Sequence, residues 1–366
     1  MKLFKKRSAS DLAGRSLNGM AWRRFRHNRL AMGSLAVIVL FALMALLGYA
    51  ITPDHTPYCN QQYLELATLK PGSKATFLCI NSSTNQQINK STFVKRMLHG
   101  VSLPYTAIPI DSCRMDGDSL YVAPLAGEPY TIAYERVVKV NERTFWLGTD
   151  AYGRDVLSMI LIGSRVSLSV GFIAILIALL IGITLGALAA YYGGWVDNLI
   201  TWLINVVWSI PTVLLVIAIT FALGKGFWQV FIAVGLTMWV DIARVVRGQV
   251  YSIKEKEYIE AARALGFSTF RTIFRHILPN ITGAVIVITA SNFASAILLE
   301  AGLSFLGIGV QPPMPSWGTM VKENYSYILL DNAYLALLPG LAIMLIVLAF
   351  MLMGNGLRDA LDIKNK

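Results

Sequence analysis

The sequence predicts an all-α membrane protein: six transmembrane helices, with a small β-rich insert between the first and the second. Three observations lead there. Of 366 residues, 55% are hydrophobic and only 14% are charged, against about 25% charged in a soluble domain. That is too few charges to cover a water-exposed surface, and too many apolar residues for a disordered chain. The apolar residues collect in six charge-free stretches, each able or nearly able to cross a hydrocarbon core of about 30 Å at about 1.5 Å per residue. One long segment, 52–143, breaks the pattern with seven prolines and short runs of β-formers.

The first span is expected over 30–51. Its 22 uncharged residues exceed the core of about 7–15 residues in a signal peptide, and no small-x-small cleavage site follows, so it is retained. The second is expected over 166–191. Along it Ala178, Gly182, Gly186, Ala190 and Gly194 recur every fourth residue, leaving one bare face on which a neighbouring helix packs closely. The third, 199–223, contains Pro211, which should kink it. The fourth, 226–240, is short and ends at Asp241, three residues before Arg244; a local ion pair at the end of the span is the expected arrangement. The fifth, 281–299, carries Asn292, which like Asp241 should face protein or water. The sixth is expected over 334–353.

The flanks orient the spans. Lys2, Lys5, Lys6, Arg7, Arg15, Arg23, Arg24, Arg26 and Arg29 precede the first against Asp11 alone, so 1–29 stays in the cytoplasm. The loop 244–280, with seven basic and three acidic residues, and the C-terminus 356–366, with Arg358, Lys364 and Lys366, fall on the same side. The exterior stretch 52–163 has ten basic and ten acidic residues. The net charge of +11 is thus a positive-inside bias facing anionic lipid, and nucleic acid is not implied.

The exterior insert should be folded, because about 90 residues without structure would be unusual; 119–123 and 130–134 read as strands. All three cysteines, Cys59, Cys79 and Cys113, lie in it. An oxidising exterior permits one bridge in any of three pairings; Cys59–Cys79, which closes the shortest loop, is preferred. Their spacing fits no zinc site.

In the cytoplasmic loop, 253–265 has one apolar helical face and Gly266 is a suitable stop. A second helix, 267–278, should end before Pro279. Helix, glycine turn and basic helix form a lever between two spans, or an ordinary amphipathic hairpin at the membrane surface; the residues by themselves leave both open.

The motifs favour the lever. Glu260-Ala261-Ala262-Arg263, then Gly266, with His276-Ile277-Leu278-Pro279-Asn280 downstream, resembles the EAA loop of bacterial ABC importer permeases. Around it stand Trp22-Arg23-Arg24-Phe25-Arg26-His27-Asn28, Leu147-Gly148-Thr149-Asp150-Ala151-Tyr152-Gly153-Arg154-Asp155, Tyr191-Tyr192-Gly193-Gly194-Trp195, Gln311-Pro312-Pro313-Met314-Pro315-Ser316-Trp317-Gly318 and Gly356-Leu357-Arg358-Asp359-Ala360-Leu361-Asp362. Together they resemble the C-type permease subunit of dipeptide, oligopeptide and nickel importers, over the first 50 residues or so and from Thr144 onward. The insert is longer than that family leads one to expect.

The resemblance implies a type I ABC importer permease fold. A segment 144–165 would lead into a core 166–355, and Glu260, Ala261, Ala262, Arg263 and Gly266 would contact an ATPase. It implies half of a translocation pore for peptides, or alternatively for nickel or another small solute, in the bacterial inner membrane. The partners would be a second, homologous permease, two ATPase subunits and an exterior solute-binding protein. ATP and Mg would bind to the ATPase. This chain would hold no cofactor, since it lacks the G-x-x-x-x-G-K-[ST] loop that cradles phosphates. A membrane enzyme lacks its parts: the four histidines, at 27, 55, 99 and 276, lie outside the spans and there is no H-E-x-x-H. An ion-coupled carrier would need paired mid-membrane carboxylates or repeated broken helices, and the sequence offers neither.

Overall fold

The computed structural model describes residues 17–81, 93–224 and 226–361. The basic residues Lys2, Lys5, Lys6, Arg7, Arg15, Lys364 and Lys366, together with Asp11 and Asp362, lie outside them.

Helix α1 (Leu17–His27) turns into α2 (Arg29–Leu47) at Asn28, whose Oδ1 accepts from the Leu30 and Ala31 amides at 3.1 and 3.2 Å. The inserted segment follows. Strands β1 (Ser73–Asn81), β2 (Tyr105–Asp116), β3 (Ser119–Pro124), β4 (Tyr130–Ala133) and β5 (Val137–Phe145) form an antiparallel sheet in the order β4-β3-β2-β1-β5. Phe77 pairs with Pro109 on one side and Asn141 on the other. Near its middle β1 is buried on both faces: Phe77 packs with Tyr63 and Phe145, and Leu78 with Ile110, Leu120 and Val122. The predicted β-rich insert is thus a folded sheet, with a short helix α3 (Phe93–His99) between β1 and β2.

The membrane part comprises α4 (Val156–Tyr192), α5 (Gly194–Trp208), α6 (Thr212–Leu223), α7 (Phe227–Lys254), α8 (Glu257–Ala264), α9 (Thr269–Arg271), α10 (Leu278–Phe305), α11 (Trp317–Asn324) and α12 (Tyr334–Leu361). Among the described residues, five helical stretches are long and apolar enough to cross a membrane: α2, α4, α7, α9 through α10, and α12. The pair α5–α6 makes the sixth if counted as one bent span.

Several expectations need correction. Pro211 does more than kink the third span: α5 and α6 meet at 93°. Pro211 disfavours helix at the residue before it and offers no side-chain cap to α6. The second span begins ten residues early, because Arg165 inside α4 is not left bare. It donates to the carbonyls of Ala45 (2.9 Å), Met97 (3.1 Å) and Leu98 (2.8 Å), satisfying the orphan ends of α2 and α3. The fourth span does not stop at Asp241; α7 continues through Arg244 and Arg247 to Lys254. Nor does Asp241 pair with Arg244, whose guanidinium lies 3.9 Å from the Trp208 ring centroid.

The second helix of the loop does not end before Pro279. A π turn, Thr272–Ile277, carries it into α10, with the Leu278 amide donating to Ile273 O. Proline lacks an amide and crowds the preceding turn; the wider turn lets the chain pass it. Asn280 Nδ2 donates to His276 O at 2.6 Å, supplying one of the bonds disturbed there.

The small-residue face of α4 packs on α7 as expected, except at its end. A Cβ on Gly182 would stand 2.7 Å from Ile242 Cβ, and one on Gly186 2.5 Å from Ala243 O; Ala178 and Ala190 are fully buried. In return, Gly235 of α7 receives Ile177 of α4, whose Cβ would lie 2.7 Å from an added methyl. Gly194 does not belong to this face. It starts α5 at φ +53° with open space around it, because the chain has already turned at Gly193.

The preferred disulfide is absent: Cys59, Cys79 and Cys113 are all free. Cys59 is buried beside α4, where its Sγ donates to Asp54 O at 3.1 Å. Cys79 is in β1, in the separate core around Phe77. Loop length favoured the pairing, but the sheet fold carries the two thiols into different cores.

Candidate functional site

Helix α8 is short and stands clear of the spans on one side only. Ile259 and Ala262 are buried, whereas Glu260, Ala261, Arg263, Ala264 and Leu265 are exposed. Its end is a Schellman turn. Gly266, at φ +74°, donates to Arg263 O at 2.9 Å, and Phe267 donates to Ala262 O at 3.1 Å. The positive φ is why glycine stands there. Ser268 then caps the next turn, accepting from the Arg271 amide at 3.4 Å. Phe267 stacks on His276 and carries the Arg271 guanidinium 4.1 Å from its centroid. Arg263 lies 5.1 Å from the Tyr191 ring at the end of α4. Of the residues expected to contact an ATPase, Ala262 therefore faces inward and seats the helix, while Glu260, Ala261, Arg263 and Gly266 remain available. Arg263 thus links α8 to the end of α4, and the turn after α8 leads through the π turn into α10.

Beside the hairpin, Asp197 in the first turn of α5 receives Arg247 of α7 through two bonds, Nε–Oδ1 2.6 Å and Nη2–Oδ2 2.7 Å. Lys254 Nζ donates to Ala190 O at 2.8 Å, closing the carbonyl end of α4. These contacts lock the start of the broken span to α7.

The break itself borders a cavity of about 440 Å³. Trp208 and Thr212 line it from α5 and α6, Met238 and Asp241 from α7, and Ser295 and Leu299 from α10. Non-helical backbone at membrane depth is stable only where it is buried in protein or faces water.

At the start of α4, the Gly148–Asp155 motif is a built junction. Asp150 accepts from the Tyr152 and Arg154 amides and from Arg154 Nε at 2.7 Å. Arg154 reaches on to Glu323 of α11 at 2.5 Å. An added Cβ at Gly153 would strike Tyr63 O, and one at Gly148 would strike Leu69 O, so the inserted chain lies directly on this turn. Asp155 caps α4 through the Ser158 amide at 2.9 Å, and burial raises its carboxyl above the usual aspartate range. The sequence showed this motif only as a marker; its contacts to Tyr63, Leu69 and Glu323 lie too far apart in the chain to be read from spacing.

Glu300 was also missed, because the fifth span was expected to end before it. Helix α10 runs on to Phe305 and buries Glu300 completely. Ser304 Oγ donates to its Oε1 at 2.7 Å and Ser167 Oγ to its Oε2 at 3.2 Å. Ser316, which caps α11, reaches Ser304 at 3.3 Å. No cation faces this carboxyl among the described residues.

No group of three or more His, Cys, Asp or Glu side chains among the described residues is placed to hold a metal.

Comparison with known proteins places the chain. Residues 182–365 match the family described as binding-protein-dependent transport system inner membrane component, and residues 16–71 match the N-terminal TM domain of oligopeptide transport permease C. A glutathione transport system permease protein of Pectobacterium atrosepticum is 42% identical over 246 residues, 67% of this chain and 81% of that protein. A dipeptide transport system permease protein of Alkalihalophilus pseudofirmus is 45% identical over 221 residues, 60% of this chain and 72% of that protein. A solved chain of a methionine ABC transporter in an inward-facing conformation superposes with a TM-score of 0.45 at 18% identity, over 56% of this chain and 95% of that one. By the extent of these sequence matches, the chain belongs to the family of binding-protein-dependent transport system inner membrane components.

Proposed function

We propose that the chain is the permease subunit of an ATP-driven ABC importer that carries peptides across the bacterial inner membrane. It forms half of the pore; a homologous permease supplies the other half, two ATPase subunits supply hydrolysis and a solute-binding protein delivers substrate from outside. The N- and C-termini and α8 face the cytoplasm. The observation that carries the reading is α8. A short helix with one face seated on the spans and the other bare, closed by a rigid glycine turn, is shaped to receive force from a partner. Peptides are the favoured cargo because the relatives named above carry a dipeptide or glutathione, itself a small peptide.

The test is reconstitution in proteoliposomes with the permease, ATPase and binding protein encoded beside it. ATP-dependent uptake of labelled dialanine or glutathione is expected. Uptake of nickel with neither peptide moved would overturn the peptide reading. Transport by this chain alone as a homodimer would overturn the heteromeric one.

A further inference from the structure

Asp241 is near the midpoint of α7, where an ionised side chain is costly unless it faces a partner or water. Arg244, one turn on, is the cation that helical spacing would supply. Instead its guanidinium lies 3.9 Å from the Trp208 ring centroid, and Asp241 has no ion pair among the described residues. The carboxylate is exposed on the wall of the 440 Å³ cavity at the α5–α6 break. Two observations make this cavity wet. One is the unpaired carboxylate itself. The other is the first turn of α6, whose amides Pro211 cannot cap and which lipid cannot satisfy. The remaining walls, Met238, Leu299 and Leu303, are apolar, with hydroxyls from Thr212 and Ser295. A concave, largely apolar space with one placed charge is the usual form of a small-molecule site.

Resting on the peptide reading, we propose that Asp241 is a transient binding site for the substrate's α-ammonium group during passage. The peptide's side chains would lie on the apolar wall, and Asp241 would supply a countercharge in place of the hydration that an ammonium loses on entering the membrane. Trp208, by holding Arg244 aside, keeps that carboxylate free.

The experiment uses the complete importer in proteoliposomes, with labelled dialanine or glutathione as the probe, whichever the parent takes up. Asp241→Asn should lower uptake about tenfold, the size of one lost charged hydrogen bond, and raise the ATP consumed per peptide correspondingly. Asp241→Glu should recover at least about half of the uptake, since it restores the charge. Parent-like uptake by Asp241→Asn overturns the site, as does an Asp241→Glu variant no better than Asp241→Asn. If Asp241→Asn instead releases the second permease on size-exclusion chromatography, the carboxylate serves the subunit interface and the proposal fails. If the parent importer moves neither dialanine nor glutathione, the peptide reading fails and this site with it.

Discussion

Arg247 and Asp197 form a two-bonded ion pair, 2.6 Å between Nε and Oδ1, that joins the first turn of α5 to α7 near the hairpin. It brings together residues fifty positions apart at the point where the chain enters its broken span. Its orientation also suits the helix: a carboxylate in the first turn of α5 opposes the positive end of that helix.

Breaking the pair should cost stability without preventing insertion. Asp197→Asn is expected to cost about 1.5–3 kcal/mol, the range for hydrogen bonds to a charged group. The Arg247 side chain is about a third exposed (32%), which argues for the lower end. A thermal-unfolding series of the detergent-purified importer checks it, with Arg247→Gln and the double variant. Additive losses in the double variant would show that the two residues do not act as a pair.

Gly266→Pro should uncouple ATP hydrolysis from transport while leaving the protein inserted. Proline cannot reach φ +74° and lacks the amide that donates to Arg263 O. The turn that fixes α8 would open. ATP hydrolysed per peptide imported is the measurement, and a ratio equal to the parent's would count against α8 as the coupling element.

Glu300→Gln should be tolerated and Glu300→Ala should not. The site presents serine hydroxyls and no cation among the described residues, and an uncompensated charge there is costly; a neutral amide of the same shape can keep the contacts. Alanine leaves Ser167 and Ser304 without their partner, at about 1–3 kcal/mol for each buried polar group left unmet. Melting temperature and uptake should fall together in the alanine variant only. Loss of both in the glutamine variant would show that the ionised carboxylate is required.

A membrane-impermeant maleimide added to intact spheroplasts should label Cys113 and spare Cys59 and Cys79. Cys113 is exposed and the other two are buried, and burial pushes the Cys59 and Cys79 thiols up, away from the reactive thiolate. Labelling checks the orientation as well, because Cys113 must be outside to react. A chain that shifts in mobility on reduction would revive the disulfide.

The sequence by itself determined the elements whose cause is local. Charge-free length set which segments cross the membrane but not where each helix ends, runs of β-formers set the strands read at 119–123 and 130–134, and the small residues of α4 set the face that meets α7. The glycine at 266 fixed the stop of α8, since only a residue free to take positive φ closes that turn. Tertiary structure decided what depends on distant partners. Arg165 and Arg247 lie inside helices because the carbonyls of α2 and α3 and the carboxylate of Asp197 come to meet them. Glu300 is buried because three serines from separate segments surround it. Arg244 leaves Asp241 unpaired because its guanidinium lies over Trp208, on another helix. Cys59 and Cys79 stay apart because the sheet sends them to different cores. A charge in a hydropathy window has no neighbours, so the sequence reads it as the end of a span; in the folded chain, its neighbours allow the helix to continue.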